Sequence, residues 1–374
     1  MNNTTHVPSR SPVTCSTNLA LAARPVRRWI QPGKPAPPWC RPRHDSPKAT
    51  THPVAAFVGV GAYVHTETTF EMVMSMTTID EQAAVLALTK ATHTQPWHHT
   101  ARAIASAGSA LKLMDGDVTG LVEIDQAHAA DLRSRVSIED LDQARDLITT
   151  MRADDVHLIT VLDDTYPGNM LWANNYQPFV WVRGRMAPED YRAVAIVGEH
   201  DSEHATAAAR ALVEAGLTVI APLRSDLDAA VHEAALEAGG RTLGVLAGGI
   251  AAPDTLGPHA NVAQQIGQRG ALVSPFWPDT TPTDRTIARE RVVACGLAAT
   301  VYIVDGGDDG PGHRCTDMVL KTGKHVFVPQ QLQQEQAWVA QAGFRGGITV
   351  VQDTDDLSKH AVNLVDMCSQ PTMF

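Results

Sequence analysis

From Val194 onward the chain alternates between short apolar runs rich in β-branched residues and stretches of about ten to fifteen residues with helical spacing. The runs are Val194 to Val197, Thr218 to Ala221, Leu243 to Leu246, Ala271 to Ser274, Thr300 to Val304, His325 to Val328 and Ile348 to Val351. The intervening helical patterns centre on Ala208, Ala230, Ala263, Arg291, Val319 and Ala337, and a last one follows at Ala361. Strand and helix in alternation require parallel strands, right-handed crossovers and helices on both faces. The expected fold is therefore α/β, a doubly wound, mostly parallel Rossmann-like sheet. Sheets of this kind bind ligands beyond the carboxyl ends of their strands.

Two extended segments precede the alternation, His157 to Leu162 and Phe179 to Gly184, separated by the turn signal Tyr166-Pro167-Gly168. Upstream, residues 76–155 carry three helical patterns, around Ala83 to Leu88, Ala103 to Leu113 and Leu141 to Ile148, which predict a small N-terminal helical domain. Residues 1–75 form a different compositional object. Ten of the 23 prolines fall before residue 54, and up to Ser75 there are 8 Lys/Arg against 3 Asp/Glu, leaving 22 against 38 for the remainder. This stretch is expected to be a disordered extension, or an upstream over-extension of the reading frame, with residues 156–374 as the Rossmann-like domain.

The formal net charge of -11 argues against an indiscriminate, histone-like grip on nucleic acid but leaves room for a local basic pocket. Cys15, Cys40, Cys295, Cys315 and Cys368 are scattered without a C-x-x-C pair, so no zinc site, disulfide scaffold or metal cofactor is expected. No apolar run reaches the roughly 18 residues of a membrane span, and a reducing cytoplasm is the expected compartment.

Four stretches carry candidate chemistry. The first long strand ends in Gly198-Glu199-His200, where a glycine either permits a tight turn or lets a phosphate approach a helix N-terminus. Gly248-Gly249 follows the third, with the same two readings. Arg285 and Arg289 stand four apart, and Arg291 follows. These guanidinium groups either reach a phosphate chain or form a solvated helix face that Glu290 partly neutralises. His232, in a clearly helical stretch, reads as a hydrogen-bonded structural residue because no partner stands at metal spacing.

The order of these pieces resembles the DNA-processing protein A (DprA/Smf) family over roughly 200 residues. Tyr166-Pro167 followed by Phe179 to Gly184 is similar to the family's Y-P and P-x-x-L-y-x-r-G segments. Ala195 to Gly198 resembles A-I-V-G, Asp228 to Leu236 resembles D-x-x-A-H-x-x-A-L, and Gly239 to Gly249 resembles G-G-x-T-I-A-V-L-g-x-G. Arg289 to Ala294 resembles R-N-R-I-I-A, and Gly323 to Pro329 resembles G-R-x-V-f-a-V-P. The resemblance implies a non-enzymatic protein that binds single-stranded DNA, dimerises and hands the strand to a RecA-type recombinase in recombination or natural transformation. Carried over by position, the DNA contacts would be Gly198, His200, Arg224, Gly248, Gly249, Arg285, Arg289, Arg291 and Lys324.

Departures concentrate in those loops. The family's G-S-R is Gly198-Glu199-His200, its S-G-x-A-R-G-I-D is Ala221 to Asp228, the central Asn of R-N-R is Glu290, and its S-G loop reads Asp308-Asp309-Gly310-Pro311-Gly312. Acidic residues entering a phosphate-tracking surface predict weakened DNA binding. Two alternatives stay open: a divergent relative that binds another ligand or a protein partner, and a nucleotide phosphoribohydrolase-like enzyme, for which Gly306 to Pro311 lacks the P-G-G-x-G-T phosphate loop.

Overall fold

The computed structural model describes residues 77–92, 97–171, 173, 176–344 and 346–369. The Pro/Arg-rich stretch expected to be disordered lies outside the described residues. Five helices come first: α1 (Ile79–Ala91), α2 (His98–Ala107), α3 (Ala110–Asp115), α4 (Glu123–Arg133) and α5 (Ile138–Ala153). Thr78, Ser109 and Ser137 start α1, α3 and α5 by accepting a bond from a first-turn amide. Helix α1 is buried nearly all round because it lies between two cores. Its Ala83 and Leu86 pack with Ile148 and Met151 of α5 and with strand residues, whereas Ala84, Val85 and Leu88 pack against α2 to α4.

The strands and later helices are β1 (Val156–Thr160), α6 (Gly168–Leu171), β2 (Phe179–Gly184), β3 (Ala193–Val197), α7 (Ser202–Glu214), β4 (Thr218–Pro222), α8 (Asp226–Glu237), β5 (Thr242–Val245) and α9 (Ala260–Arg269). There follow β6 (Ala271–Ser274), α10 (Asp284–Leu297), β7 (Thr300–Ile303), α11 (Pro311–Lys321), β8 (His325–Pro329), α12 (Gln330–Glu335), α13 (Ala337–Gly343), β9 (Ile348–Val351) and α14 (Thr354–Ser369). The single helix expected around Ala337 is two, α12 and α13, meeting at the extended residue Gln336.

Among the described residues the strands form one nine-stranded sheet in the order β1-β2-β6-β5-β4-β3-β7-β8-β9. From β6 through β9 every pairing is parallel, whereas β2 runs antiparallel to both β1 and β6. Side chains alternate across the strands, so each strand contributes to two cores. Ala193, Ala195 and Val197 of β3 face α10, α11 and α13, while Val194 and Ile196 face α7, α8 and α14. Strand β3 is buried throughout, which is why it reads as a continuous apolar run. Strands β1 and β2 present Val156, Leu158, Phe179 and Trp181 to α1, α5 and α9, so the helical segment shares a core with the sheet.

Candidate nucleic-acid interface

Strand β3 sits where the winding reverses, with β4 on one side and β7 on the other. In a doubly wound sheet this point opens a crevice beyond the carboxyl ends. The crevice is present, at about 300 Å³, lined by His200, Asp201 and His204 from the start of α7, by residues 304–307 after β7, and by Gln331, Leu332, Glu335 and Gln336 of the α12 region.

Its base is an anion site already filled by the protein. The Asp305 carboxylate accepts hydrogen bonds from the backbone N–H groups of Glu199, His200 and Asp201 at 2.7, 2.7 and 2.6 Å. Those amides lie in the turn that leads into α7, next to its N-terminus, where the helix dipole favours negative charge. The expectation that Gly198 admits a phosphate is therefore corrected. A Cβ at Gly198 would lie 3.2 Å from Val304 Cβ, so the glycine lets the turn pack against the end of the β7 run, and the anion it faces is the protein's own carboxylate. His200 is exposed at the rim. His204 is held through Nδ1 by Asp201 at 2.6 Å.

Gly248 and Gly249 do mark a close backbone approach, but the approaching chain is the protein's own. A Cβ on Gly249 would fall 2.2 Å from Pro278 O and 2.3 Å from Trp277 O, and one on Gly248 would fall 2.8 Å from Thr280 O. Gly249 N donates to Thr280 O at 2.7 Å and Ala251 N to Pro278 O at 2.9 Å, so the two loops are laced together. Both glycines are buried, and their assignment to DNA is corrected accordingly.

The arginines divide by position on α10, which starts at the carboxyl edge and runs back across the sheet. Thr283 caps its first turn, placing exposed Arg285 at the edge. Arg289, one turn on, is largely buried, with Nη1 in the interior and no hydrogen-bond partner; burial pushes its pKa down. Arg291 is rotated by about 200° from Arg289. Its charge acts on Cys295 and on Cys315 of α11, so the three arginines do not share one face. Arg224, after β4, is exposed and lies 3.9 Å through Nε from Glu290 Oε2.

Glu290 is 0% exposed, and neither carboxyl oxygen has a hydrogen-bond partner. Desolvation raises its pKa to about 8, with Asp228 adding to the effect and Arg224 and Arg291 opposing it. It is thus no surface charge that neutralises a helix face. Arg285, Arg289 and Arg224 are brought to one edge of the sheet, with Glu290 beneath them.

Lys324 is the clearest displacement. It precedes β8 and so lies at the amino edge, buried, with Nζ donating to the carbonyls of Cys295 at 3.1 Å and of Gly296 and Ala298 at 2.7 Å. These are the orphan carbonyls at the end of α10, which favour a cation. Burial lowers the ammonium to about 7. The lysine fixes the α10 terminus, at the edge opposite the arginines and the crevice. His232 is structural, as its sequence setting suggested: Nδ1 meets Thr242 Oγ1 at 2.7 Å, Nε2 meets Pro222 O at 3.0 Å, and burial lowers its pKa to about 4.

Asp305, His204, Gln331, Glu335, Gln336 and Arg314 were not singled out in the sequence. Arg314, exposed on α11, donates to Asp309 O and adds a cation beside Asp308 and Asp309. Among the described residues no group of three or more His, Cys, Asp or Glu side chains could hold a metal ion, and no helix is long and apolar enough to cross a membrane.

Comparison with known proteins gives a match to the family model of DNA recombination-mediator protein A over residues 157–362, more than half of the chain. Protein Smf of Escherichia coli is 27% identical over 179 residues, 46% of this chain and 47% of that protein. DNA processing protein DprA of Streptococcus pneumoniae is 26% identical over 190 residues, 46% of this chain and 66% of that protein. The chain thus spans about half the length of the first relative and about two-thirds of the second. The crystal structure of DNA processing protein A from Streptococcus pneumoniae superposes with a TM-score of 0.56 at 18% identity, covering 75% of this chain and 97% of that one.

Proposed function

The chain belongs to the DNA recombination-mediator protein A family, and from that premise we propose that it is a non-catalytic DNA-processing protein. It binds single-stranded DNA along the carboxyl edge of the sheet, acts as a homodimer and passes the strand to a RecA-type recombinase. The observation that carries this reading is the gathering of Arg224, Arg285 and Arg289 at that edge, on the loop after β4 and the first turns of α10. Arginines so placed can track phosphates while an adjacent crevice accommodates bases, and no nucleophile or metal is required.

A second reading, a relative whose crevice takes another ligand or a protein partner, is favoured by one observation. Asp305 fills the anion site at the winding reversal, and Glu199 and Asp201 stand beside it. Fluorescence anisotropy of a labelled oligothymidine with the full chain, at about 50 and about 200 mM salt, separates the two. The DNA reading expects saturable binding that weakens steeply with salt, with Arg289→Ala and Arg285→Ala each lowering the salt slope by about one unit. Absence of binding at the lower salt transfers the assignment to the second reading.

A further inference from the structure

Glu290 is a charge-bearing side chain with no exposed surface, placed directly under an arginine of the proposed DNA edge. A buried polar atom without a partner loses its hydration with nothing in return, so such a group in a packed interior calls for a reason. The Leu223 amide favours the charged form least of the neighbouring groups, because its N–H already donates to Val245 O at 2.9 Å. The charged and titratable groups that face it are Asp228 from α8, Arg224 from the loop after β4, and Arg291 from its own helix. Asp228 is itself committed, with Oδ2 accepting from Ser225 N at 2.9 Å and Arg224 N at 3.3 Å. The Arg224 side chain, at 38% exposure, comes within ion-pair distance of it.

The separation of Arg224 Nε and Glu290 Oε2, 3.9 Å, is informative. An ionised carboxylate in a low-dielectric pocket draws a guanidinium to about 2.7–2.9 Å, because a charge-assisted bond is the cheapest way to satisfy both groups. The pair stands apart, and the carboxyl oxygens are bare. The guanidinium thus stands within ion-pair range of the carboxyl without being hydrogen-bonded to it.

We infer that Glu290 is a positioning residue for Arg224: uncharged, it releases the guanidinium to DNA phosphate, and ionised, it draws the guanidinium back onto α10 and away from the strand. The inference rests on the single-stranded DNA reading of this edge. Because burial places the carboxyl's titration near pH 8, the exchange falls just above neutrality, where few other carboxyl groups change charge. Arg224 therefore contributes a phosphate contact at neutral pH and loses it in mild alkali.

The test uses the full chain and a labelled oligothymidine at constant low ionic strength, with anisotropy recorded from about pH 6.5 to about pH 9. The wild type is expected to lose at least roughly ten-fold in affinity across that range, the worth of one charge-assisted contact. Glu290→Gln is expected to keep the neutral-pH affinity throughout, and Arg224→Ala to be weak and flat. Parallel profiles for the wild type and Glu290→Gln overturn the inference while leaving DNA binding intact. Failure of every protein to bind sinks the DNA reading. A DNA-free readout then decides the positioning role: the Arg224 Nε–H resonance in 15N-labelled full chain should titrate with a midpoint near that of Glu290 and stop doing so in Glu290→Gln, and a resonance that is flat in the wild type overturns the proposal.

Discussion

Replacing Asp305 with alanine removes one side chain and strands three amides. The Asp305 carboxylate accepts from Glu199, His200 and Asp201 within 2.6–2.7 Å, and no other acceptor is bonded to those N–H groups. Hydrogen bonds to a charged group are worth about 1.5–3 kcal/mol each, but three bonds to one carboxylate are not additive, and water reaches the partly exposed turn, so about 3 kcal/mol is expected. For a chain of this size each kcal/mol moves Tm by about 1–2 °C, giving a fall of roughly 3–6 °C by calorimetry. The variant also uncovers an empty helix N-terminus, which is a ready anion site. If phosphate binds there with a Kd of about 1 mM, about 50 mM phosphate restores about 2.3 kcal/mol through mass action. The measurement is therefore Tm in phosphate against chloride at matched ionic strength. Phosphate should protect Asp305→Ala and leave the wild type unchanged. Equal protection of both proteins, or a variant that melts with the wild type, would show that the carboxylate does not fill an anion site.

Three further outcomes follow from buried groups. Glu290 has its folded pKa raised from 4.5 to about 8, so the folded state holds more protons than the unfolded one across that window and the wild type loses stability as pH rises through it. The Tm of Glu290→Gln relative to the wild type should therefore climb by several degrees between about pH 5 and about pH 9, and a constant difference would refute the assignment. Gly249→Ala drives a Cβ into the Trp277 and Pro278 carbonyls and should cost about 3 kcal/mol, whereas Gly307→Ala, with nothing within 4 Å, should melt like the wild type. Lys324→Met strips three carbonyls at the end of α10 of their donor and should lower stability by about 2–4 kcal/mol without a specific effect on the salt slope of DNA binding; unchanged melting with lost binding would return the lysine to the DNA surface.

The sheet was legible because parallel strands buried on both faces leave continuous apolar runs. Phe179–Gly184, Ala271–Ser274 and Ile348–Val351 are strands over the spans their patterns predict, four others differ by a residue at one end, Thr242–Val245 is shifted by one residue, and Val156–Thr160 starts one residue earlier and ends two earlier than its pattern. Strand order was not legible, since alternation does not say on which side of β3 the chain returns. Asp305 consequently could not be placed against residues 199–201, although it closes the run after Thr300. The glycine pair at 248 and 249 signalled close approach but not its partner. Lys324 was drawn to the DNA edge by a motif whose other residues form β8, and its position at the start of that strand sets it at the far edge. Glu290 was hidden for a simpler reason. A glutamate between two arginines on a helix has the pattern of a solvated face, and only the packing of α10 against β4 and α8 shows it turned inward.

On the single-stranded DNA reading, the two carboxylates at this edge would act on affinity in different ways. Asp305 is bonded to three amides. Its charge is spent internally, removing a phosphate site while holding the turn that begins α7. Neither Glu290 carboxyl oxygen has a hydrogen-bond partner, and on the same reading its neutral form would leave the nearby arginine available. An acidic residue within a binding surface therefore cannot be assigned a repulsive contribution from its formal charge alone. Of the acidic departures in these loops, Glu290 should add no repulsion at neutral pH, and the surface-exposed Asp308 and Asp309 should account for the larger share. Neutralising Asp308 and Asp309 together would then strengthen oligothymidine binding near pH 7 more than Glu290→Gln does. The opposite ranking would mean that Glu290 is charged at that pH, and that the burial-driven proton linkage is wrong.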